Sequence, residues 1–125
     1  PPGVNQRVAA LFIGARHHDM LLGRIRRAMV GRRAEAQAAL ATHAPSWKVS
    51  GGQGGGGLWI EIPDGMDATA LAAEALKAGV VIEPGDVFFG GADKPTNVFR
   101  LGLSVIPQTK IAEGVERLAQ AATLL

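Results

Sequence analysis

Cysteine is absent from the 125 residues. That excludes disulfide scaffolds, zinc fingers, thiol nucleophiles and iron–sulfur ligation. Histidine is scarce: there are three, two of them adjacent as His17-His18, so a metal site would have to lean on carboxylates. Charge of either sign is thin as well. Thirteen Lys+Arg against eleven Asp+Glu leave +2, and so small an excess gives no argument for nucleic-acid binding. The hydrophobic fraction is 47%, rich in alanine, but no run approaches the ~18 apolar residues of a membrane span. What remains is a cytoplasmic chain with no membrane partner and one compact core, since a chain this long buries roughly two-thirds of its unfolded surface. The sequence opens on Pro1-Pro2 with neither an initiator Met nor a secretory signal, which leads us to expect a piece of a longer protein.

One low-complexity tract, Gly51-Gly52-Gln53-Gly54-Gly55-Gly56-Gly57, divides the chain into unlike halves. Before it the pattern is helical. A short apolar helix is expected over 4–13, broken at Gly14, and a longer one from Asp19 to His43. In the longer helix Met20, Leu21, Ile25, Met29, Ala36 and Leu40 fall near one face, opposite Arg24, Arg27, Arg32, Arg33 and Glu35. Pro45 ends it by removing a donor and biasing Ala44 away from helical angles.

After the glycines, strand and helix alternate. Leu58-Trp59-Ile60-Glu61-Ile62 reads as a strand stopped by the Pro63-Asp64-Gly65 turn. Asp67 caps a helix whose inward stripe is Leu71, Ala72, Ala75 and Leu76 and which ends at Gly79. Val80-Val81-Ile82-Glu83 reads as a second strand closed by Pro84-Gly85. A third covers 98–104, with Val98, Arg100, Gly102 and Ser104 on one face and Phe99, Leu101 and Leu103 on the other. A last helix follows Pro107 and buries Ile111, Val115, Leu118 and Ala122. Trp47-Lys48-Val49-Ser50 adds a candidate edge strand. The expected fold class is α/β: a small mixed sheet of three to four strands, with a parallel crossover between the first two, covered by helices on one side and preceded by a long helical segment.

The glycine tract invites a phosphate-cradle reading, but a phosphate loop runs into a helix, and here a strand follows. A turn that lets another segment or a ligand approach closely fits better. Arg16 through Arg33 lack interleaved aromatics and read as a solvated or partner-facing helix surface rather than a nucleic-acid face. In His17-His18-Asp19 the acid reads as a helix cap, since no third nitrogen ligand or acidic pair lies at helical spacing. Arg100 is the exception. A guanidinium inside an apolar strand persists only if paired or facing a wet cleft. The residues leave two readings open: an ion pair with Glu61 or Glu83, or a bidentate fork for a carboxylate or phosphate.

Five stretches in order resemble one family. They are Gly56-Gly57-Leu58-Trp59-Ile60-Glu61-Ile62-Pro63; Asp67-Ala68-Thr69-Ala70-Leu71; Gly79-Val80-Val81-Ile82-Glu83-Pro84-Gly85-Asp86-Val87-Phe88-Phe89; Asn97-Val98-Phe99-Arg100-Leu101-Gly102; and Ile111-Ala112-Glu113-Gly114-Val115-Glu116-Arg117-Leu118-Ala119. Together they look like the C-terminal small domain of fold-type I aminotransferases, and more narrowly the aminotransferase-like part of MocR-type regulators of the GntR family. Arg32-Arg33 and His43-Ala44-Pro45 resemble that family's interdomain helix. The resemblance implies that residues 1–44 link the large and small domains and that 45–125 form the small domain. It implies that Arg100 binds the carboxylate of an amino-acid-like effector or substrate, with Asn97 supporting the turn that presents it. Pyridoxal 5'-phosphate is the implied cofactor of the full-length protein. Its lysine, ring-nitrogen acid and phosphate cup are not recognisable among these residues, so no catalytic or cofactor-binding residue is assigned and the piece alone is expected to be inactive. The implied partners are the large domain, a second copy in a homodimer, and DNA through an N-terminal domain outside this sequence. A free-standing aminotransferase small domain and a self-contained ferredoxin-like or ACT-like effector module are the alternatives.

Overall fold

The computed structural model describes residues 2–51 and 55–125. In chain order the elements are helices α1 (Gly3–Gly14) and α2 (His17–His43), strands β1 (Lys48–Ser50) and β2 (Gly57–Glu61), helix α3 (Ala68–Lys77), strand β3 (Glu83–Pro84), a single 3-10 turn (Gly85–Phe88), strand β4 (Val98–Gly102) and helix α4 (Gln108–Ala122).

Local chemistry accounts for most boundaries. The Asp67 Oδ1 accepts from the Thr69 amide at 2.9 Å and caps α3 as expected of a short acceptor at that position. At the other end Gly79 has φ +84. There the Gly79 N–H donates to the Leu76 carbonyl at 3.0 Å and the Val80 N–H to the Ala75 carbonyl at 2.8 Å, the Schellman pairing that closes a helix on a left-handed residue. Because the Val80 amide is committed to α3, the expected strand 80–83 forms only at its far end: β3 is two residues long. Helix α2 also starts earlier than expected. Its cap residue is Arg16 at φ +66, with no side-chain cap bond, so Asp19 lies inside the first turn and does not cap.

The sheet order is β1-β2-β4-β3. Strands β2 and β3 do run in the same direction, as the crossover demands, but β4 inserts between them and every hydrogen-bonded pair is antiparallel. The mixed ladder expected from the strand, helix, strand order is therefore replaced by an antiparallel one. In β4 side chains alternate as expected. Phe99 and Leu101 are buried, with Leu58 and Ile60 of β2, against a core drawn from all the helices after α1. Among the described residues the opposite face carries no helix layer.

Two apolar stripes are covered only in part. In α2 the C-terminal members Met29, Ala36 and Leu40 are buried, whereas Met20, Leu21 and Ile25 are exposed. Nothing in α1 is buried. In α3, Leu71 and Ala75 are in the core but Leu76 is 63% exposed. Leu71 and Leu76 sit five residues apart, so they point well away from each other on a 3.6-residue turn. Helix α4 buries Ile111, Val115 and Leu118 as its period requires, with Ala121 rather than Ala122 as the innermost alanine. No helix is long and apolar enough to cross a membrane among the described residues.

Candidate functional site

Arg100 stands at the middle of β4 and projects from the helix-free face. Its cross-strand neighbours are Trp59 on β2 and Glu83 on β3. Its Nη1 donates to Glu83 Oε2 at 3.1 Å, while the Arg100 side chain stays 39% exposed. Of the two acids open as ion-pair partners, the register selects Glu83. Glu61 lies opposite Val98 and faces Lys48, 3.8 Å away. Among the described residues, the bond to Glu83 is the one hydrogen bond of the Arg100 side chain. The other four of the five guanidinium N–H groups therefore have no acceptor among the described residues. A surface pair of this kind contributes at most about 1 kcal/mol, too little to lock the guanidinium away from an incoming anion.

Glycine makes room for it. Gly57 and Gly102 are cross-strand partners one step along from Trp59 and Arg100. A Cβ on Gly57 would lie 3.3 Å from Arg100 Cζ and Nη2, and 2.7 Å from the Leu101 carbonyl oxygen. The guanidinium thus rests over a floor of bare backbone. Gly57→Ala is expected to push the guanidinium off that floor and weaken carboxylate binding several-fold; a titration with unchanged affinity would contradict the close approach. The neighbouring residues Gly52, Gln53 and Gly54, on which the phosphate-cradle reading also drew, lie outside the described residues.

Asn97 occupies the entry to β4. Its Nδ2 donates to the Ile62 carbonyl at 2.8 Å and to Asp64 Oδ1 at 3.4 Å. The Ile62 N–H donates back to the Asn97 carbonyl at 2.8 Å. This reciprocal pair holds the Pro63-Asp64-Gly65 turn to the start of the strand that carries Arg100. It acts on backbone position and does not touch the guanidinium.

Sequence reasoning passed over the aromatic side of the shelf. Trp59 makes ring contacts with Phe88 and Phe89, both at 5.9 Å between centroids. Gly85 seats the 3-10 turn against this face, since a Cβ there would stand 2.7 Å from Trp59 Cη2 and from Val98 Cγ2. The alternation Gly57, Trp59, Glu61 along β2 carried the signal for Trp59. Nothing local signalled Phe88 and Phe89, which reach the shelf only through the turn.

The other candidates dissolve. His17 stacks on Phe12 at 5.7 Å and His18 meets it edge-on at 6.3 Å. Among the described residues no group of three or more His, Cys, Asp or Glu is placed to hold a metal. Arg32 and Arg33 serve as ties within the fold, donating to the carbonyls of Ile106 at 3.0 Å and Gly55 at 2.9 Å. A cavity of about 390 Å³ opens between Val80, Leu103 and α4, and Arg100 does not line it. The Arg100 site is an open shelf with one wall. For pyridoxal phosphate the donor set does not fit: Lys48, Lys77 and Lys110 form exposed surface ion pairs and Lys94 is exposed in a loop. None is desolvated as a Schiff-base lysine must be.

Comparison with known proteins finds the same fold. The chain superposes on alpha-aminoadipate aminotransferase LysN of Thermus thermophilus, complexed with N-(5'-phosphopyridoxyl)-L-leucine, with a TM-score of 0.80 and 30% identity over 93% of this chain and 29% of that one. It superposes on the kynurenine aminotransferase of Pyrococcus horikoshii with a TM-score of 0.82 and 29% identity, over 90% of this chain and 28% of that one. The chain is an α/β unit built around a four-stranded antiparallel sheet, similar in fold to aminotransferase small domains. In sequence it is similar to the HTH-type transcriptional regulator TauR of Rhodobacter capsulatus, 38% identical over 121 residues, covering 97% of this chain and 25% of that protein. The chain spans about a quarter of that relative's length. No protein-family model matches it.

Proposed function

We propose that this chain is the C-terminal small domain of a MocR-type transcription regulator of the GntR family, a cytoplasmic homodimer. Its Arg100 takes the carboxylate of an amino-acid-like effector. One observation carries this reading: a guanidinium on an interior strand, resting on glycine backbone and part-exposed, with one hydrogen bond, to Glu83, among the described residues. A planar fork so held binds a carboxylate through two parallel hydrogen bonds. Asn97 supports the strand entry that presents it. The missing wall of the shelf is the large domain, which also brings the pyridoxal phosphate site, while an N-terminal helix-turn-helix brings DNA binding. Residues 1–44 form the connection and residues 45–125 the small domain. Movement of the small domain on effector binding is the signal passed to DNA.

The extent of the match to the TauR regulator supports the regulator over the alternative, the small domain of a free-standing aminotransferase. The latter draws on the 39% identity over 71 residues to the 2-aminoadipate transaminase of Thermus thermophilus. The coding sequence upstream separates them. A helix-turn-helix domain there, together with DNA binding that changes on adding L-leucine as probe with pyridoxal phosphate, supports the regulator. Turnover of the same probe with no DNA-binding domain upstream overturns it in favour of the enzyme.

The exposed apolar residues Val8, Leu11, Phe12 and Ile13 of α1 are assigned to packing against the large domain. In the 125-residue chain that surface has no cover, and self-association through it is expected. Light scattering should report species larger than a monomer at high concentration, and Leu11→Glu should return the chain toward monomer. Monomeric behaviour of the unmutated chain would count against the assignment.

A further inference from the structure

The carboxylate role of Arg100 leaves two features of the shelf without a task. One is Glu83, bonded to the guanidinium at 3.1 Å with its own side chain 53% exposed. The other is the aromatic group of Trp59, Phe88 and Phe89. The strand register puts Trp59 on β2 and Glu83 on β3 either side of Arg100, and the indole reaches over Val98 to Gly85, where the turn after β3 brings Phe88 and Phe89 to it. Resting on the reading of Arg100 as a carboxylate fork, we infer that Glu83 is a specificity-determining residue that turns the shelf against dicarboxylates. The ligand it admits is a monocarboxylate whose apolar or aromatic body lies along Trp59.

Charge counting on the face gives the reason. The cross-strand neighbours on this face bring four charged groups: Lys48, Glu61, Glu83 and Arg100. Lys48 and Glu61 offset each other at 3.8 Å, and Glu83 already offsets Arg100. One ligand carboxylate is accommodated by the guanidinium donors that Glu83 leaves open. Among the described residues a second carboxylate meets no further cation on the face, and meets the exposed Glu83 charge instead. At about 6 Å in water-like surroundings that repulsion lowers affinity roughly 3-fold, and more where the shelf is covered. Along Trp59 the aromatic rings reward burial of apolar ligand surface. Glu83 thus discriminates by repulsion while Trp59 discriminates by attraction.

The test uses the 125-residue chain labelled with nitrogen-15 and two probes, 3-phenylpropionate and glutarate. The Arg100 Nε–H and Trp59 indole N–H signals are followed by NMR. In the wild type, 3-phenylpropionate should move both signals and bind more tightly than glutarate. Glu83→Gln should raise glutarate affinity at least about 3-fold relative to 3-phenylpropionate. Glu83→Ala should shift the ratio the same way, and Glu61→Gln should leave it unchanged. Amide spectra preserved away from the shelf show that each variant is folded. If Arg100 responds to carboxylates but the ratio stays fixed in both Glu83 variants, or moves equally in Glu61→Gln, the inference about Glu83 is overturned while the carboxylate reading stands. If neither probe moves the Arg100 signal in any variant, both fall.

Discussion

Replacing Arg100 with alanine is expected to reduce affinity for a carboxylate effector at least ~30-fold, about 2 kcal/mol, in the full-length protein. The size follows from what is lost. The guanidinium supplies both charge and a two-pronged donor, and truncation leaves the ligand carboxylate desolvated against glycine backbone with nothing to bond. Stability should change little, because the side-chain partner lost among the described residues is Glu83, itself more than half exposed, and pairs of that kind contribute at most about 1 kcal/mol. Arg100→Lys should recover only part of the affinity, since an ammonium restores the charge without the planar fork. Calorimetric titration of wild type and both variants, with thermal unfolding as a check, measures this. Wild-type affinity in the alanine variant would end the assignment of Arg100.

The second large effect falls on stability. Phe99→Ala is expected to destabilise the chain by about 3–5 kcal/mol, the range for emptying an aromatic site in a packed core. Phe99 is 0% exposed and meets Trp47 edge-on at 5.8 Å between centroids. It pairs with Ile60 on one side and Pro84 on the other. It therefore joins the strands on both sides of β4, and the ring of Trp47 loses its partner as well. The midpoint of denaturant unfolding should fall accordingly. Leu76→Ala on α3 provides the contrast, at no more than about 0.5 kcal/mol for a side chain that faces solvent. A loss under about 1 kcal/mol at Phe99 would mean that the core does not depend on this strand as described.

The two residues are neighbours in sequence and opposite in role. That opposition was legible beforehand, because successive side chains of any strand point to opposite faces. Once Phe99 and Leu101 claim the buried side, Arg100 has only the other. The same local logic set the Asp67 cap, the Gly79 stop and the buried stripe of α4. The α3 stripe was read too wide, because Leu76 is apolar and near the face without being on it. Asp19 suits a cap by type, but the left-handed Arg16 takes that position and the helix begins at His17.

The partner of Arg100 was beyond local reading. Glu61 and Glu83 are chemically alike, and only the insertion of β4 between β2 and β3, with its register, puts Glu83 directly opposite. Strand order rests on contacts between segments far apart in the chain, and no periodicity within a segment encodes it. The aromatic group is a similar case, assembled when Gly85 lets a turn lie against Trp59. The amino-acid sequence by itself determined which side chains face in and out, where the helices begin and stop for the most part, and that one arginine stands at the centre of a strand. Tertiary structure decided what surrounds that arginine: a glycine floor, an acid opposite it on β3, and aromatic rings gathered on Trp59. Facing and capping are set within a few residues by backbone geometry, while a site is set by which distant strands become neighbours.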